Sequence, residues 1–134
     1  LNVLTVHSYA DSGRQVLNRL GRDRRWPWGP WAGPSVLRVM AEAGYADLPL
    51  ALTEFGWNTA YWSEGEQAQK YDECFEAMES CPWLVAALGF NAINEPPGPD
   101  GVAHVQWGVF RDDLSEKPAA AVFRKYTGGG VRRA

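Results

Sequence analysis

The sequence predicts an α/β fold in which parallel strands alternate with helices. Apolar runs suited to buried strands occur at residues 2–7, 48–55 and 83–93, and segments with helical spacing of apolar residues lie between and after them. The strand starts are roughly 35 to 45 residues apart, which is the size of a βαβ unit. Strands and helices that alternate in this way form a parallel sheet with right-handed crossovers.

The first strand leads into a long loop. Residues 2–7 are apolar and rich in β-branched side chains, as expected of a buried strand. Residues 11–33 are polar and then rich in Pro, Gly and Trp (RRWPWGPWAGP), which predicts a loop with a short helix at 14–20. Loops of this length inside compact domains tend to be functional.

The middle of the chain carries the second helix and the second strand. From Pro34 the apolar residues have helical spacing, and Gly44 stands where such a helix would end. Residues 48–55 (LPLALTEF) are apolar on both faces until Thr53 and Glu54. A continuous apolar run of this kind is typical of a parallel strand covered on both sides.

The third helix begins at a recognisable capping box. The Ser63 hydroxyl is expected to cap the helix while the Glu66 side chain reaches back to the cap. The helix is predicted to end near Ser80. Its predicted inward face consists of Ala68, Tyr71, Phe75 and Met78.

The C-terminal part is predicted to be a loop, a helix and a tail. The loop covers residues 98–107, and the last helix begins at Lys117 and Pro118. Its inward face is predicted to consist of Ala121, Val122 and Tyr126. Residues 127–134 (TGGGVRRA) are expected to be a flexible tail, so the folded unit is assigned to residues 1–126.

Length, charge and composition exclude several classes of protein. The 134 residues are the length of one domain, and the net charge of −3 gives no electrostatic footprint for nucleic acid or an anionic membrane. The apolar stretch 82–93 is too short to span a bilayer. His7 and His104 lack metal-ligand spacing and no phosphate-binding glycine motif is present, so neither a metal nor a cofactor is expected. Cys74 and Cys81 are expected to be free thiols, with a bridge between them left open.

Two observations indicate a piece of a larger fold. The chain starts at Leu1 inside the first predicted strand, without an initiator Met and without the features of a signal peptide. Three strands would leave two open edges on a hydrophobic sheet, which is a liability for a free-standing domain. We therefore expect the sheet to be part of a closed structure.

Polar side chains follow directly after each apolar run. They are, in chain order, His7, Tyr9, Glu54, Trp57, Asn94 and Glu95. The carboxyl ends of parallel strands meet at one edge of a sheet, and in a (β/α)8 barrel this rim carries the catalytic groups. Three consecutive strands that end in this way therefore predict an active site.

Glu54 is the strongest candidate among these residues. A carboxylate directly after the apolar PLALT is costly to leave unpaired, so a structural ion pair and a catalytic role both explain it. Trp57 follows closely. A carboxylate beside an aromatic ring suits sugar chemistry, because Asp and Glu react at the anomeric carbon while Trp stacks on the sugar ring.

Four segments carry a resemblance to a known group of enzymes. LPLALTEFGWNT with the following SEGEQAQ resembles the seventh strand and next helix of retaining glycoside hydrolases with a TIM barrel, the cellulase-type clan that includes families 5 and 39. VHSY resembles their sixth-strand His-x-Tyr, GFNAINEP falls at the eighth strand, and WGVFRDDLSEKPAAAVFRKY resembles their C-terminal ending. The resemblance covers residues 3–126 and implies strands 6–8, the C-terminal three βα units, of a (β/α)8 barrel.

The resemblance implies hydrolysis of O-glycosidic bonds in poly- or oligosaccharide by double displacement. Glu54 would be the nucleophile, and Tyr9 would hydrogen-bond and orient it. The implied substrate-binding residues are His7, Trp57, Asn94, Glu95, Trp28 and Trp31, with Trp26 as a further candidate in the same loop.

The chain departs from the family pattern in the position of the catalytic acid. A retaining mechanism needs a second carboxylic acid about 5 Å from the nucleophile, and in these families it lies in an Asn-Glu-Pro after the fourth strand. Here Asn94-Glu95-Pro96 follows Glu54 instead. In one interpretation the acid lies upstream and Glu95 contacts substrate or is an ordinary loop residue, in which case the isolated chain is nearly inactive. In a second the order is permuted and Glu95 is the acid, and in a third the Asn-Glu-Pro is a coincidence. The family's eighth-strand Trp is also not seen in GFNAINEP.

Two other functions stay open at this point. The chain could be a non-enzymatic carbohydrate-binding protein on a degenerate barrel, or a truncated product without function. An upstream coding region that ends in Asn-Glu-Pro favours the enzyme, whereas a start codon just before Leu1 favours the alternatives. The resemblance further implies a carbohydrate substrate, a secreted or extracellular location, and the missing N-terminal part of the barrel as partner. The exposed sheet edges could instead bring two copies of the chain together.

Overall fold

The computed structural model describes residues 2–21, 35–102 and 105–127. In this part of the chain strands alternate with helices, as predicted. The elements are β1 (Leu4–His7), α1 (Gly13–Gly21), α2 (Val36–Glu42), β2 (Leu50–Phe55), α3 (Glu64–Met78), β3 (Leu84–Gly89) and α4 (Pro118–Thr127). Two predictions lie outside the described residues, namely the ligand-binding role of Trp26, Trp28 and Trp31 and the flexible tail beyond Thr127.

The three strands form one parallel sheet in the order β1-β2-β3, which confirms the predicted parallel arrangement. Leu50 of β2 lies opposite Leu4 on one side and Leu84 on the other. At the far end His7 lies opposite Glu54. Because all three strands run the same way, their carboxyl ends meet at one edge of the sheet.

The central strand is buried and the outer strands are not. Leu50, Leu52 and Phe55 of β2 are fully covered, as its continuous apolar run predicted. On β3, by contrast, Val85 and Leu88 are 55% and 58% exposed. The described part of the sheet therefore presents apolar surface at an outer strand.

Helix α3 connects the core to the other helices. Its capping box is confirmed, since the Ser63 hydroxyl accepts from the Glu66 N–H at 3.2 Å and Glu66 Oε2 accepts from the Ser63 N–H at 2.8 Å. The helix ends at Met78 rather than near Ser80, and Ala68 and Tyr71 face the core as predicted. Helices α1 and α4 pack on either side of it.

Both cysteines are free. Cys74 is fully buried in α3, and this burial raises the pKa of its thiol to about 12. Cys81 is partly buried, and its pKa is raised for the same reason. At neutral pH both groups are therefore protonated thiols rather than thiolates.

The structure corrects the predicted inward face of the last helix. Ala119 and Ala120 are buried, whereas Ala121 is exposed. Val122 and Phe123 lie on the same side as Ala119 and pack against the core, whereas Ala121 is about 200° round the helix from Ala119 and lies on the outer side. The longest described helix has 15 residues, and none of the described helices has the length and apolar character of a bilayer-spanning segment.

Candidate functional site

Three polar side chains converge at the carboxyl edge of the sheet. The Tyr9 hydroxyl donates to Glu54 Oε2 at 2.8 Å, and His7 Nδ1 lies 3.2 Å from the same oxygen. The side chain of Glu54 is 35% exposed and that of His7 is 55% exposed. The structure thus brings together the three residues that the sequence singled out first, with the carboxylate open to solvent. We call them the Glu54 cluster.

The strand pairing explains this convergence. His7 is in register with Glu54 across the parallel β1-β2 pair, and the pairing shifts by one residue between Val6 and His7. The Ser8 N–H then donates to the Glu54 carbonyl at 3.0 Å. This bond holds the backbone just before Tyr9 against β2, so that the Tyr9 side chain can contact the Glu54 carboxylate.

The environment of Tyr9 keeps its hydroxyl protonated. Burial raises the pKa of Tyr9 above its ordinary value, and the hydrogen bond to Glu54 and the negative charge of Glu54 raise it further. The hydroxyl therefore remains a hydrogen-bond donor at physiological pH. A neutral donor fixed on one carboxylate oxygen orients the carboxylate without removing it from solvent.

Trp107 lies beside the Glu54 cluster, and the sequence analysis gave it no role. Its ring meets Tyr9 edge-on, with centroids 5.3 Å apart, and meets Phe90 edge-on at 6.0 Å. The residue is partly exposed. A tryptophan at the end of the loop that follows the third strand was the available signal, because that loop starts from the same rim.

The structure corrects the prediction that Trp57 stacks on a sugar. Trp57 is 2% exposed, and its indole N–H donates to the Ala10 carbonyl at 2.7 Å. Its ring also packs edge-on against Phe55 and Tyr71. An indole whose N–H is satisfied and whose ring is surrounded is core material, so no face is left for a sugar.

The loop after β3 is built around Asn94, which the structure removes from the substrate-binding set. Asn94 is 5% exposed. Its Oδ1 accepts from the Gly108 N–H and from Lys117 Nζ, both at 2.9 Å, and its Nδ2 donates to Gln106 Oε1 at 2.5 Å. Both the oxygen and the nitrogen of the side-chain amide form hydrogen bonds within the protein. Asn94 therefore stabilises the loop and is not a ligand-binding residue. Glu95 is exposed, and its backbone bonds to Val105 and Gln106.

Lys117 lies at the centre of this network. The sequence analysis identified it only as the start of the last helix and did not predict its contacts. It is 2% exposed, and its ammonium donates to Thr59 Oγ1 at 2.9 Å, to Asn94 Oδ1 at 2.9 Å and to the Gln106 carbonyl at 3.2 Å. Burial lowers the pKa of Lys117, and the charge of Glu64 opposes that effect. We call Lys117, Asn94, Thr59 and Gln106 the Lys117 cluster.

Two glycines and a buried amide complete the packing between the clusters. A side chain at Gly56 would overlap the Phe90 carbonyl oxygen, and one at Gly108 would overlap the backbone of Asn94. Gln67 of α3 is fully buried and donates to the carbonyls of Trp57 and Trp107 at 2.8 and 3.1 Å. These close approaches fix the path of the loop that carries Trp107.

The described residues contain no group of three or more His, Cys, Asp or Glu side chains that could hold a metal ion. A solvent-accessible carboxylate that is oriented by a neutral hydroxyl and flanked by an imidazole and an aromatic ring can act as a nucleophile or as a base.

Comparison with known proteins gives matches among solved structures alone. No protein family's sequence profile matches the chain, and no curated protein matches it. A β-glucuronidase from Ruminococcus gnavus is 25% identical with a TM-score of 0.57, covering 70% of this chain and 18% of its own. A β-glucuronidase from Bifidobacterium dentium, solved with coumarin-3-O-glucuronide, is 20% identical with a TM-score of 0.58, covering 74% and 18%.

A GH2 β-galacturonidase from Eisenbergiella tayi, bound to galacturonate, has a TM-score of 0.67 at 16% identity. It covers 96% of this chain, which corresponds to 24% of the galacturonidase. The chain thus spans about a fifth of the length of the enzymes it matches. These names support the resemblance to glycoside hydrolases in its general form but not to families 5 and 39. The structural neighbours of this chain are glycoside hydrolases, and it shares the fold of part of them.

Proposed function

We propose that this chain forms the C-terminal three βα units of the (β/α)8 barrel of a retaining glycoside hydrolase, with Glu54 as the nucleophile. The observation that carries the proposal is the Glu54 cluster itself. Its carboxylate stands at the carboxyl edge of a parallel sheet, which is the catalytic rim of such barrels. The glycosidases among the structural neighbours support the same class of reaction.

The proposed reaction is a double displacement. A carboxylate oxygen of Glu54 attacks the anomeric carbon, the bond from that carbon to the leaving oxygen breaks, and an acid gives its proton to the leaving oxygen. Water then attacks the same carbon, gives its proton to the deprotonated acid, and releases Glu54 as a carboxylate. The sugar keeps its anomeric configuration because each displacement inverts it once.

We assign different tasks to the two oxygens of Glu54. Tyr9 and His7 both contact Oε2. Oε1 is therefore the oxygen we expect to attack, while Oε2 is held in place. Tyr9 is the positioning residue in this scheme, since it acts on the nucleophile rather than on the sugar.

The acid is proposed to come from a segment outside these 134 residues. A retaining enzyme holds its two carboxyl groups about 5 Å apart. Glu95 is exposed on the loop after β3, and its neighbour Asn94 is tied into the Lys117 cluster. We therefore expect the isolated chain to hydrolyse natural glycosides poorly, while its nucleophile stays reactive toward activated sugars.

The substrate is proposed to be a carbohydrate O-glycoside. The neighbours named above were solved with a glucuronide and with galacturonate, so uronic acid sugars belong in any test beside glucose, mannose, xylose and galactose. The remaining strands of the barrel, or a second copy of the chain, would cover the exposed Val85 and Leu88 on β3.

The test is covalent labelling of the 134-residue chain with 2-fluoro glycosides that carry an activated leaving group. Such leaving groups need little help from an acid, so the experiment isolates the nucleophile. We expect the intact mass to rise by one glycosyl group and peptide mapping to place it on Glu54. The sugar that reacts also names the specificity.

The matched control is Glu54→Gln, which keeps the size and the hydrogen-bond acceptor but cannot form the glycosyl ester. It should give no adduct. An adduct on Glu95 would overturn the assignment of the nucleophile. A folded chain, judged by circular dichroism, that gives no adduct with any sugar would contradict the proposed function and favour a protein that only binds carbohydrate.

A further inference from the structure

We propose that Trp57 is a positioning residue for the nucleophile, because its indole N–H holds the segment that carries Tyr9 and so keeps the Tyr9 hydroxyl on Glu54. This inference rests on the proposed function, since it concerns the hydrogen bond to the proposed nucleophile. It gives a part in the reaction to a tryptophan that is buried in the core and has no face for a sugar. The acting group is the indole N–H, and the group it holds is a backbone carbonyl.

The first argument is that Tyr9 lies beyond the end of its strand. Strand β1 ends at His7, so the residues that follow are held by individual hydrogen bonds. The Ser8 N–H donates to the Glu54 carbonyl at 3.0 Å, and the Ser8 hydroxyl donates to the Val16 carbonyl at 3.0 Å. The residue before Tyr9 is therefore fixed through both its backbone and its side chain.

The second argument is the hydrogen bond on the other side of Tyr9. The Ala10 carbonyl accepts from the Trp57 indole at 2.7 Å, although the two residues are 47 positions apart. Trp57 follows Glu54 on the loop after β2. One side chain thus ties the segment that carries the nucleophile to the segment that carries its hydrogen-bond donor, and its loss would release the backbone after Tyr9 from that loop.

The third argument is that Trp57 is itself held in place. Its ring meets Phe55 edge-on with centroids 6.3 Å apart and meets Tyr71 edge-on at 5.0 Å. Its own carbonyl accepts from Gln67 Nε2 at 2.8 Å. An indole packed in this way is a fixed donor, so the core sets the position of the Ala10 carbonyl. Groups that lie behind a reactive site and fix its geometry are a general means of preorganisation.

This route predicts which kinetic quantity changes. The hydrogen bond from Tyr9 to Glu54 measures 2.8 Å, and hydrogen bonds weaken steeply as their geometry departs from the optimum. A shift of the backbone after Tyr9 would therefore weaken the orientation of the carboxylate and slow its attack. Binding of the sugar should not change, because the buried indole does not reach it. The effect is limited to that of removing the Tyr9 hydroxyl, since it works through that hydroxyl.

The experiment measures labelling by the reactive 2-fluoro glycoside as a function of its concentration, which gives a rate at saturation and a half-saturating concentration. For Trp57→Phe we expect the rate at saturation to fall roughly 3-fold, with the half-saturating concentration unchanged. Phenylalanine also leaves space in the core. A second variant therefore carries 3-benzothienylalanine at position 57, which keeps the two-ring shape and replaces the N–H by sulfur. It should show the same fall in rate.

The matched control is Thr53→Val. The Thr53 hydroxyl donates to the Val6 carbonyl at 3.2 Å and so links the same two strands just before Glu54. Valine has the same shape without the hydroxyl, and successive side chains of a strand point to opposite faces, so position 53 faces away from the carboxylate. This variant should label at the rate of the unmodified chain. A fall as large as that of Trp57→Phe would show a general effect of losing a cross-strand bond and would contradict the proposal.

A double-mutant cycle separates positioning from a merely structural role. In the Tyr9→Phe background, Trp57→Phe should cause no further fall in the rate at saturation, because the hydroxyl through which it acts is already absent. A structural role would slow labelling by the same factor in both backgrounds. Equal factors therefore overturn the proposal, as does an unchanged rate in both position-57 variants when circular dichroism shows them folded.

A measurement without labelling keeps the two proposals apart. In chains enriched with 13C at Cζ of tyrosine, the NMR signal of Tyr9 is assigned by its loss in Tyr9→Phe. It should shift or broaden when 3-benzothienylalanine replaces Trp57, while the signal of the exposed Tyr45 stays the same. Where Glu54 takes no adduct, the proposed function has failed and this signal alone decides the role of Trp57. A changed signal supports the positioning of Tyr9, and an unchanged signal overturns it.

Discussion

The Glu54 cluster and the Lys117 cluster lie at the same edge of the sheet but are built in opposite ways. Glu54 is 35% exposed and is held at one oxygen. Lys117 is 2% exposed and uses three acceptors for the three protons of its ammonium. Polar residues at this edge therefore serve two purposes. The buried ammonium of Lys117, with all its hydrogen bonds made, holds the structure together, whereas the exposed carboxylate of Glu54 stays accessible to a reactant.

The largest effect on stability should come from Asn94→Ala. The variant leaves the Gly108 N–H without its side-chain acceptor and deprives the buried ammonium of Lys117 of one of three acceptors. We expect the free energy of unfolding to fall by about 3 kcal/mol. Glu54→Gln, in the open cluster, should change it by less than about 0.5 kcal/mol.

Urea denaturation followed by circular dichroism measures both values. A similar loss of unfolding free energy in Asn94→Ala and Glu54→Gln would contradict the distinction between the two clusters. Covalent labelling with the 2-fluoro glycosides should separate the clusters in the opposite sense, since Glu54→Gln should abolish the adduct although it hardly changes stability.

Trp57→Phe should show that Trp57 belongs with the scaffold. The variant loses the bond to the Ala10 carbonyl and leaves a small cavity beside Tyr71. A loss of about 2 kcal/mol in unfolding free energy is expected, with the half-saturating concentration of the labelling reagent unchanged. Unchanged stability with weaker labelling would restore Trp57 as a sugar contact.

Tyr9→Phe tests the hydrogen bond within the open cluster. The Glu54 carboxylate loses its oriented donor, so we expect the labelling rate at saturation to drop about tenfold, as one hydrogen bond to a charged group predicts. Stability should fall by about 1 kcal/mol. A labelling rate equal to that of the unmodified chain would show that Tyr9 does not position the nucleophile.

Tyr9→Phe also tests how the stability contributed by Tyr9 depends on pH. The folded pKa of Tyr9 is raised, so above pH 10 the unfolded chain releases this proton while the folded chain keeps it. The stability contributed by Tyr9 is therefore complete below pH 10 and decreases above it. The difference in unfolding free energy between the unmodified chain and Tyr9→Phe should shrink from pH 9.5 to 11, and a constant difference would contradict the assignment.

The smallest effect is expected at the rim of the closed cluster. Arg111 forms a two-pronged ion pair with Glu64 at 2.6 and 2.9 Å, and both side chains are about one third exposed. Glu64→Gln should lower the unfolding free energy only slightly at low salt and by less at high salt, because solvent and ions screen an exposed pair. A salt-independent loss would show that the pair is part of the buried network.

The local elements were predictable because their signals are local. The capping box at Ser63 and Glu66 and the apolar run of β2 depend on residues close in sequence. The approach of Tyr9 to Glu54 came from a resemblance, and the structure places the hydroxyl within hydrogen-bond distance. Its role in catalysis stays a prediction.

What the sequence could not reveal depends on distant contacts. Trp57 is buried because the Ala10 carbonyl, 47 residues away in the sequence, accepts from its indole. Lys117 is buried because Thr59, 58 residues away, supplies an acceptor. Tryptophan occurs both in cores and in binding sites, and lysine is almost always exposed, so neither residue type reveals the burial found here.

Gly56 and Gly108 have a consequence for laboratory evolution of this chain. Both positions lack room for a side chain, since the first would meet Phe90 and the second Asn94. A library that randomises the segment around Glu54 would lose most of its members at Gly56 before any change in sugar preference could be selected. Diversity is better directed to His7, whose partly exposed side chain contacts the carboxylate.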